Sequence, residues 1–267
     1  MHFDLFAAGA LAPGVASITD LLAMRRAGGS AEAANLELPS PQALPPNERR
    51  RASQVVRLTL ACAEQALQAS PFKADQLRMV FASDEGTGEV CQQMLQSLAT
   101  TREVSPLVFH NSVHNAPSGY FSIGHQNRQS ALSVSLGRES FASGLLCAVS
   151  EAQSSGQPVL FLSYDVPMPQ PMRSLLRVEQ PSATAWIVAA AGTVREHDPL
   201  ASFELSLHAP HEAEPAAAAW LPATWADNPS AQGFVALAML ADGPAECDFP
   251  LGAQRLRLAR VDGVARC

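Results

Sequence analysis

"SALSVSLGRESFASGLLCAVSEAQSSGQPVLFLSYDV", residues 130–166, carries in one run the three elements on which the fold turns. "SALSVSLG" (130–137) reads as a buried strand. "SFASGLLCAVSEAQSSG" (140–156) reads as a helix with Ser140 at or near its N-terminus. "PVLFLSYDV" (158–166) is an almost unbroken apolar run, the pattern of a strand covered on both faces. Strand, helix and strand in succession form the unit from which layered α/β sheets are built.

The same alternation extends outward. Upstream, "LRMVFAS" (77–83) predicts a buried strand feeding the acidic loop "DEGTGE", with a helix over 89–99. Before it, "LAPGVASITDLLAMRRAGG" reads as a loop and a short helix from about Ser17, stopped at Gly28 and Gly29. A Pro-rich connector, "SAEAANLELPSPQALPPNE" (30–48), has neither helical nor strand period. Helix resumes at Asn47 as N-cap and runs on through Val55, Val56, Leu58, Leu60, Cys62, Ala63, Ala66 and Leu67, broadly apolar and so deep in the domain. Downstream, "ATAWIVAAAG" and "ASFELSLHA" predict two strands, expected to pair antiparallel, and "AQGFVALAMLADG" a late helix. The expectation is an α/β fold with a mixed, mostly parallel sheet flanked by helices, in one domain spanning residues 1–267.

Composition narrows the function classes. Hydrophobic residues make up 47% of the 267 and charged residues 16%, which is globular and too poor in charge for disorder. A net charge of −7 argues against nucleic acid and anionic membrane as partners. No run reaches membrane-spanning length and Met1 to Leu11 lacks a signal-peptide pattern, so a cytoplasmic protein is expected. Five scattered cysteines, without CxxC or zinc-like spacing, read as reduced thiols.

The segment "SPLVFHNSVHNAPSGYFSIGHQN" (105–127) concentrates three histidines and three asparagines. His110 and His114 stand four apart, a spacing that puts two imidazoles on one helix face, but Pro106 and Pro117 argue against a regular helix, and no third ligand is at hand. No metal or cofactor is expected. A hydrolase or acyltransferase would use Ser140 or His114, yet "SVSLGRES" lacks the GxSxG turn of such serines. Cys147 lies inside its helix, where a thiol packs rather than reacts. Arg49, Arg50, Arg51 and Arg57 form a basic run that reads as a solvated helix start or a docking point for an acidic partner.

Taken whole, "NSVHNAPSGYFSIGHQNRQSALSVSLGRESFASGLLCAVSEAQSSGQPVLFLSYDVP" resembles the central part of β-ketoacyl-acyl-carrier-protein synthases. Asn111, Ser112, Gly119, Ser122 and Ile123 match the family's first segment, and Phe141-Ala142-Ser143-Gly144 matches its Cys-Ala-Ser-Gly. "ALPPNERRRASQVVRLTLACAEQAL" and "SPLVFHNSVHNAPSG" look still more like the short chain-length factors of aryl-polyene-type clusters. The likeness is best over residues 44–191, with 192–267 as an abbreviated C-terminal part. It implies a thiolase-like layered fold, truncated relative to a full ketosynthase.

The departures from the family decide the expected function. The synthase nucleophile is a Cys at a helix N-terminus, where the dipole and backbone N–H groups stabilise thiolate and oxyanion. Its place here falls to Phe141, or to Ser140 or Glu139 if the turn shifts the alignment, and none of His197, His208 and His211 stands in the family's histidine contexts. The resemblance therefore implies no catalytic residue of its own. It implies a noncatalytic subunit pairing with a full-length ketosynthase and shaping its acyl pocket in polyene, polyketide or fatty-acid-type synthesis. Ala131 to Leu136 is expected at the partner interface, including Ser133 and Ser135. The segment before it supplies His110, Asn111, Ser112, His114 and Asn115, then Pro117, Gly119, Tyr120 and Phe121, to that interface and its acyl pocket. Within it, Gly119 is expected to allow close approach or unusual dihedrals. Acyl carrier protein is the acidic partner expected at Arg49, Arg50, Arg51 and Arg57, and a carrier-binding scaffold without chemistry remains an alternative.

Overall fold

The N-terminal residues make the strand that sequence periodicity does not reveal. In the computed structural model, which describes residues 1–29, 35–174, 178–209, 219–241 and 245–261, β1 (His2–Leu11) is buried at every position after the first. A strand covered on both faces has no alternation to detect. Its phase also changes midway: Phe3 and Leu5 face one core, and after a bulge between Leu5 and Ala7 the odd residues Ala7 and Leu11 face the other.

Eight strands form one sheet: β2 (Arg78–Ala82), β3 (Ala131–Val134), β4 (Val159–Asp165), β5 (Ser182–Ala190), β6 (Ala201–His208), β7 (Glu246–Leu251) and β8 (Gln254–Arg260) join β1 in the order β3-β2-β4-β5-β1-β6-β8-β7. Only the β3-β2 and β2-β4 pairings are parallel, and the other five are antiparallel. The sheet is mixed as expected but mostly antiparallel rather than mostly parallel: the parallel pairings are confined to the crossover units joining β2, β3 and β4, and across the sheet from β4 to β7 neighbouring strands run in opposite directions. β5 and β6 do not pair with each other, because β1 lies between them.

The helices cover both faces. α1 (Ile18–Arg26), α7 (Ser140–Ser155) and α8 (Gln232–Leu237) close over one core with Phe141, Phe161, Trp186 and Phe203. α3 (Gln54–Gln68) and α6 (Ala116–His125) close over the second, with Phe81, Tyr120, Phe121 and Tyr164. Close approach of α7 to the sheet depends on Gly144, where a Cβ would stand 2.5 Å from Ala82 Cβ and 2.7 Å from Phe161 Cε2.

The basic run and the helix after it are two elements. α2 (Pro46–Arg51) ends at Ala52, whose extended backbone (ψ 117°) breaks the chain, and Ser53 then N-caps α3 by accepting from the Val56 amide at 3.5 Å. α4 (Gly88–Thr100) follows β2 as expected. Prolines do not interrupt the 105–127 segment; they open its helices, Pro106 that of α5 (Pro106–Asn111) and Pro117 that of α6. In the first turn a missing N–H costs nothing, since that group has no intrahelical acceptor. No helix among the described residues is long and apolar enough to cross a membrane.

Candidate functional site

The N-terminus of α7 is filled and closed. Phe141 is fully buried, its ring centroid 5.1 Å from Phe249 of β7, 5.8 Å from Phe161 and 6.3 Å from Trp186. β7 lies at the far edge of the sheet, so the sheet curls around α7 to bring Phe249 there. The flanking residues are equally committed. Ser140 Oγ donates to Gly137 O at 2.7 Å and accepts from the Leu136 amide at 3.0 Å, tying the turn rather than facing a base. Glu139 Oε2 accepts from the Gly252 amide at 2.7 Å, pinning the β7-β8 hairpin to the start of α7. Buried Cys62 and Cys247 thiols are pushed up by desolvation, and burial also raises that of Cys147, so none is a poised thiolate.

Beside this turn, the C-terminal ends of β2 and β4 hold an acidic cluster that sequence reading did not assemble. Asp165 ends the apolar run of β4 and is almost fully buried; its Oδ1 accepts from Ser83 Oγ at 2.8 Å, the Asp84 amide at 2.9 Å and the Glu85 amide at 3.1 Å. Its Oδ2 and both Glu85 carboxyl oxygens are buried and make no well-aligned hydrogen bond among the described residues. Desolvation, then the charges of Asp165 and Asp84, push Glu85 up to about 8, opposed by the backbone at Met168 and Val178. Burial pushes Asp165 up to about 7 against its hydrogen bonds. Burial also raises Asp84, with Arg138 opposing. The signal in sequence was a charged residue closing an otherwise apolar strand, but its partner lies 80 residues away.

This loop supports the 105–127 segment. His114 Nε2 lies 3.3 Å from Ser83 O and its ring packs where a Cβ on Gly86 (φ +55°) would clash. Thr87 Oγ1 donates to Ser112 O at 2.8 Å. Asn111 donates to Arg51 O at 3.3 Å and accepts from Tyr120 Oη at 2.9 Å. His110 is on α5 while His114 lies in the turn after it, so the two imidazoles do not share a helix face. The segment divides by exposure. Asn111, Pro117, Tyr120 and Phe121, expected at the partner interface or its acyl pocket, are buried within this chain, Phe121 against Phe81 at 6.2 Å. His110, Asn115 and Gly119 are exposed, and Ser112 and His114 half-buried. Gly119 is an ordinary helical residue with open space around it, so neither close approach nor unusual dihedrals explains it.

β3 departs from expectation in the same direction. Expected to be buried, it is a sheet edge that pairs among the described residues only with β2, with Leu132 46% exposed and Leu136 just after it 51% exposed. Ser133 is half-buried and Ser135 exposed. Leu107, Phe109, Val113 and Ile123 are also exposed on α5, α6 and the turn between. An apolar, unpaired edge with further exposed apolar side chains nearby is a surface that natural proteins cover. Of the basic run, Arg49 is spent holding the connector through Gln42 and the Leu44 carbonyl, whereas Arg50, Arg51 and Arg57 are exposed. His208 hydrogen-bonds Ser206, remote from α7, and His211 lies outside the described residues.

The sheet, its two helical layers and the strand-to-helix turn of α7 define a thiolase-like ketosynthase fold. Residues 24–242 match the family described as beta-ketoacyl synthase, N-terminal domain, and the chain belongs to that family. No curated protein matches it. The chain is similar to one in the structure of the ketosynthase ApeO in complex with its chain length factor ApeC from Xenorhabdus doucetiae, with a TM-score of 0.72 and 24% identity over 97% of this chain and 100% of that one. It is similar to a chain of the ishigamide ketosynthase/chain length factor, with a TM-score of 0.73 and 14% identity over 97% and 99% of the two chains. Against the ketosynthase of module 1 of the bacillaene synthase from Bacillus amyloliquefaciens, the TM-score is 0.61 at 11% identity, covering 79% of this chain but 47% of that one. The fold is thus truncated relative to that ketosynthase.

Proposed function

We propose that this chain is a noncatalytic, chain-length-factor-like subunit that pairs with a complete ketosynthase in the cytoplasm and shapes the end of its acyl pocket during polyene, polyketide or fatty-acid-type synthesis. The observation that carries this reading is Phe141, a benzyl group at the nucleophile's matching position, sealed beneath Phe249. A buried phenyl ring neither accepts an acyl chain nor leaves room for one. The apolar edge of β3 supports the pairing, since a partner strand laid along it would satisfy its open backbone groups and cover Leu132 and Leu136. His110, Asn115, Gly119 and Ser135 are exposed and Ser112, His114 and Ser133 half-exposed, as residues that meet a partner would be. Arg50, Arg51 and Arg57 are the exposed cations of this run, held locally by Asn47, Glu48 and the Ala52 carbonyl, and are the groups that would meet an acyl carrier protein. In this reading residues 1–267 work as one unit, without cofactor or metal.

Acyl loading tests it. The chain and its ketosynthase are incubated together with acyl carrier protein bearing an acyl group, and the intact mass of each subunit is measured. The ketosynthase gains the acyl mass and this chain does not; an acyl adduct on this chain contradicts the proposal.

A further inference from the structure

A cavity of about 660 Å³ lies on the α3 face of the sheet, beneath the connector that precedes α2. The connector is a strap fixed at both ends. Leu36 and Leu38 pack into the second core while Glu37, between them, lines the cavity, and Arg49 holds the far end through Gln42 Oε1 (2.9 Å), Gln42 O (3.1 Å) and Leu44 O (2.9 Å). The back wall is equally fixed: Leu11 and Leu60 are buried, and the Gln65 amide accepts from Ala10 N at 3.1 Å and donates to Ala16 O at 2.8 Å. A pre-formed space of this size with an apolar wall and a few polar groups is what small-ligand sites look like.

The polar groups choose the ligand's charge. Glu37 and Glu64 both line the cavity, and no Lys or Arg does among the described residues. His125, the last residue of α6, brings its Nε2 to 3.1 Å from Glu64 Oε1, but that buried nitrogen makes no aligned hydrogen bond, so Glu64 keeps acceptor capacity. The C-terminal end of α6 adds its partial negative charge to the same wall. An anion would be repelled here and a wholly apolar molecule would desolvate Glu64 without compensation. We propose that this cavity binds a small organic ammonium ion, its charged nitrogen at Glu64 and its apolar body against Leu11, Leu60 and Pro41. The site is separate from the α7 turn and from the β3 edge and does not depend on pairing with a ketosynthase.

Three probes of one shape separate the contributions: 4-phenylbutylamine, 4-phenylbutanol and 4-phenylbutyrate, titrated calorimetrically into the full chain at pH 7. The amine binds at least about tenfold tighter than the alcohol or the acid, a gap of roughly 1.4 kcal/mol. Glu64→Gln brings the amine down to the alcohol's affinity, and Ala61→Trp, which narrows the cavity, weakens binding at least about tenfold while circular dichroism and Tm report an intact fold. Equal affinity for the acid, undiminished amine binding by Glu64→Gln, or no binding of the amine at millimolar concentration overturns the proposal. Should Ala61→Trp fail to fold, the comparison of probes and the Glu64→Gln titration still decide it.

Discussion

Replacing Glu85 by Gln should flatten the pH dependence of stability. Glu85 is buried, with only the Met168 and Val178 backbone groups near its oxygens among the described residues, and its carboxyl is pushed up to about 8 from an ordinary value of 4.5. The folded state therefore holds a proton that the unfolded chain releases, so this group's contribution is full below pH 4.5 and declines as pH rises to about 8. At about 1.4 kcal/mol per pH unit, the interval from pH 5.5 to pH 8.5 removes ~3–4 kcal/mol. Asp165, raised to about 7, removes ~2 kcal/mol over the same range, and that loss persists in the variant. Urea unfolding of wild type and Glu85→Gln at several pH values measures the two slopes. The variant's amide adds a constant cost of about 1–3 kcal/mol for its own unpartnered groups, so the slope and not the absolute stability is the readout. Equal declines in the two proteins would refute the assignment of Glu85 as a buried neutral acid. Because His114 and Ser112 rest on this loop, the 105–127 segment should loosen with it at high pH, visible as faster amide exchange.

Gly144→Ala places a methyl 2.5 Å from Ala82 Cβ, and overpacking of this kind should cost about 1–3 kcal/mol in denaturant unfolding. Gly119→Ala meets open space on an exposed helix, so it should raise the stability of the lone chain by up to ~1 kcal/mol; if the partner covers α6, calorimetry will show the same substitution weakening the complex. Asn111→Ala strands the buried Tyr120 hydroxyl and frees the Arg51 carbonyl, a loss of about 1–3 kcal/mol with sharper proteolysis between α2 and α5.

Those elements that write their burial into the sequence were legible there. α7 and β4 stand out because an amphipathic helix and a doubly covered strand have distinct patterns. β1 could not, because Ala and Gly with a bulge in mid-strand erase both alternation and β-branched enrichment. The break at Ala52 and Ser53 carries no Pro or Gly to mark it, while Pro106 and Pro117 suggested breaks where they begin helices. β7 and β8 hide in charged, one-sided segments, with Pro250 tolerated because β7 is an edge. The Glu85–Asp165 cluster depends on strand ends that only the parallel β2-β4 pairing brings together.

The most direct test is the mass of the assembly. Co-expressed with the complete ketosynthase proposed as its partner, the chain should elute in light scattering as a one-to-one complex, and Leu132→Asp on the exposed β3 edge should split that complex while leaving each subunit folded. A chain that remains alone beside that ketosynthase, or a complex indifferent to charge at Leu132, contradicts the account.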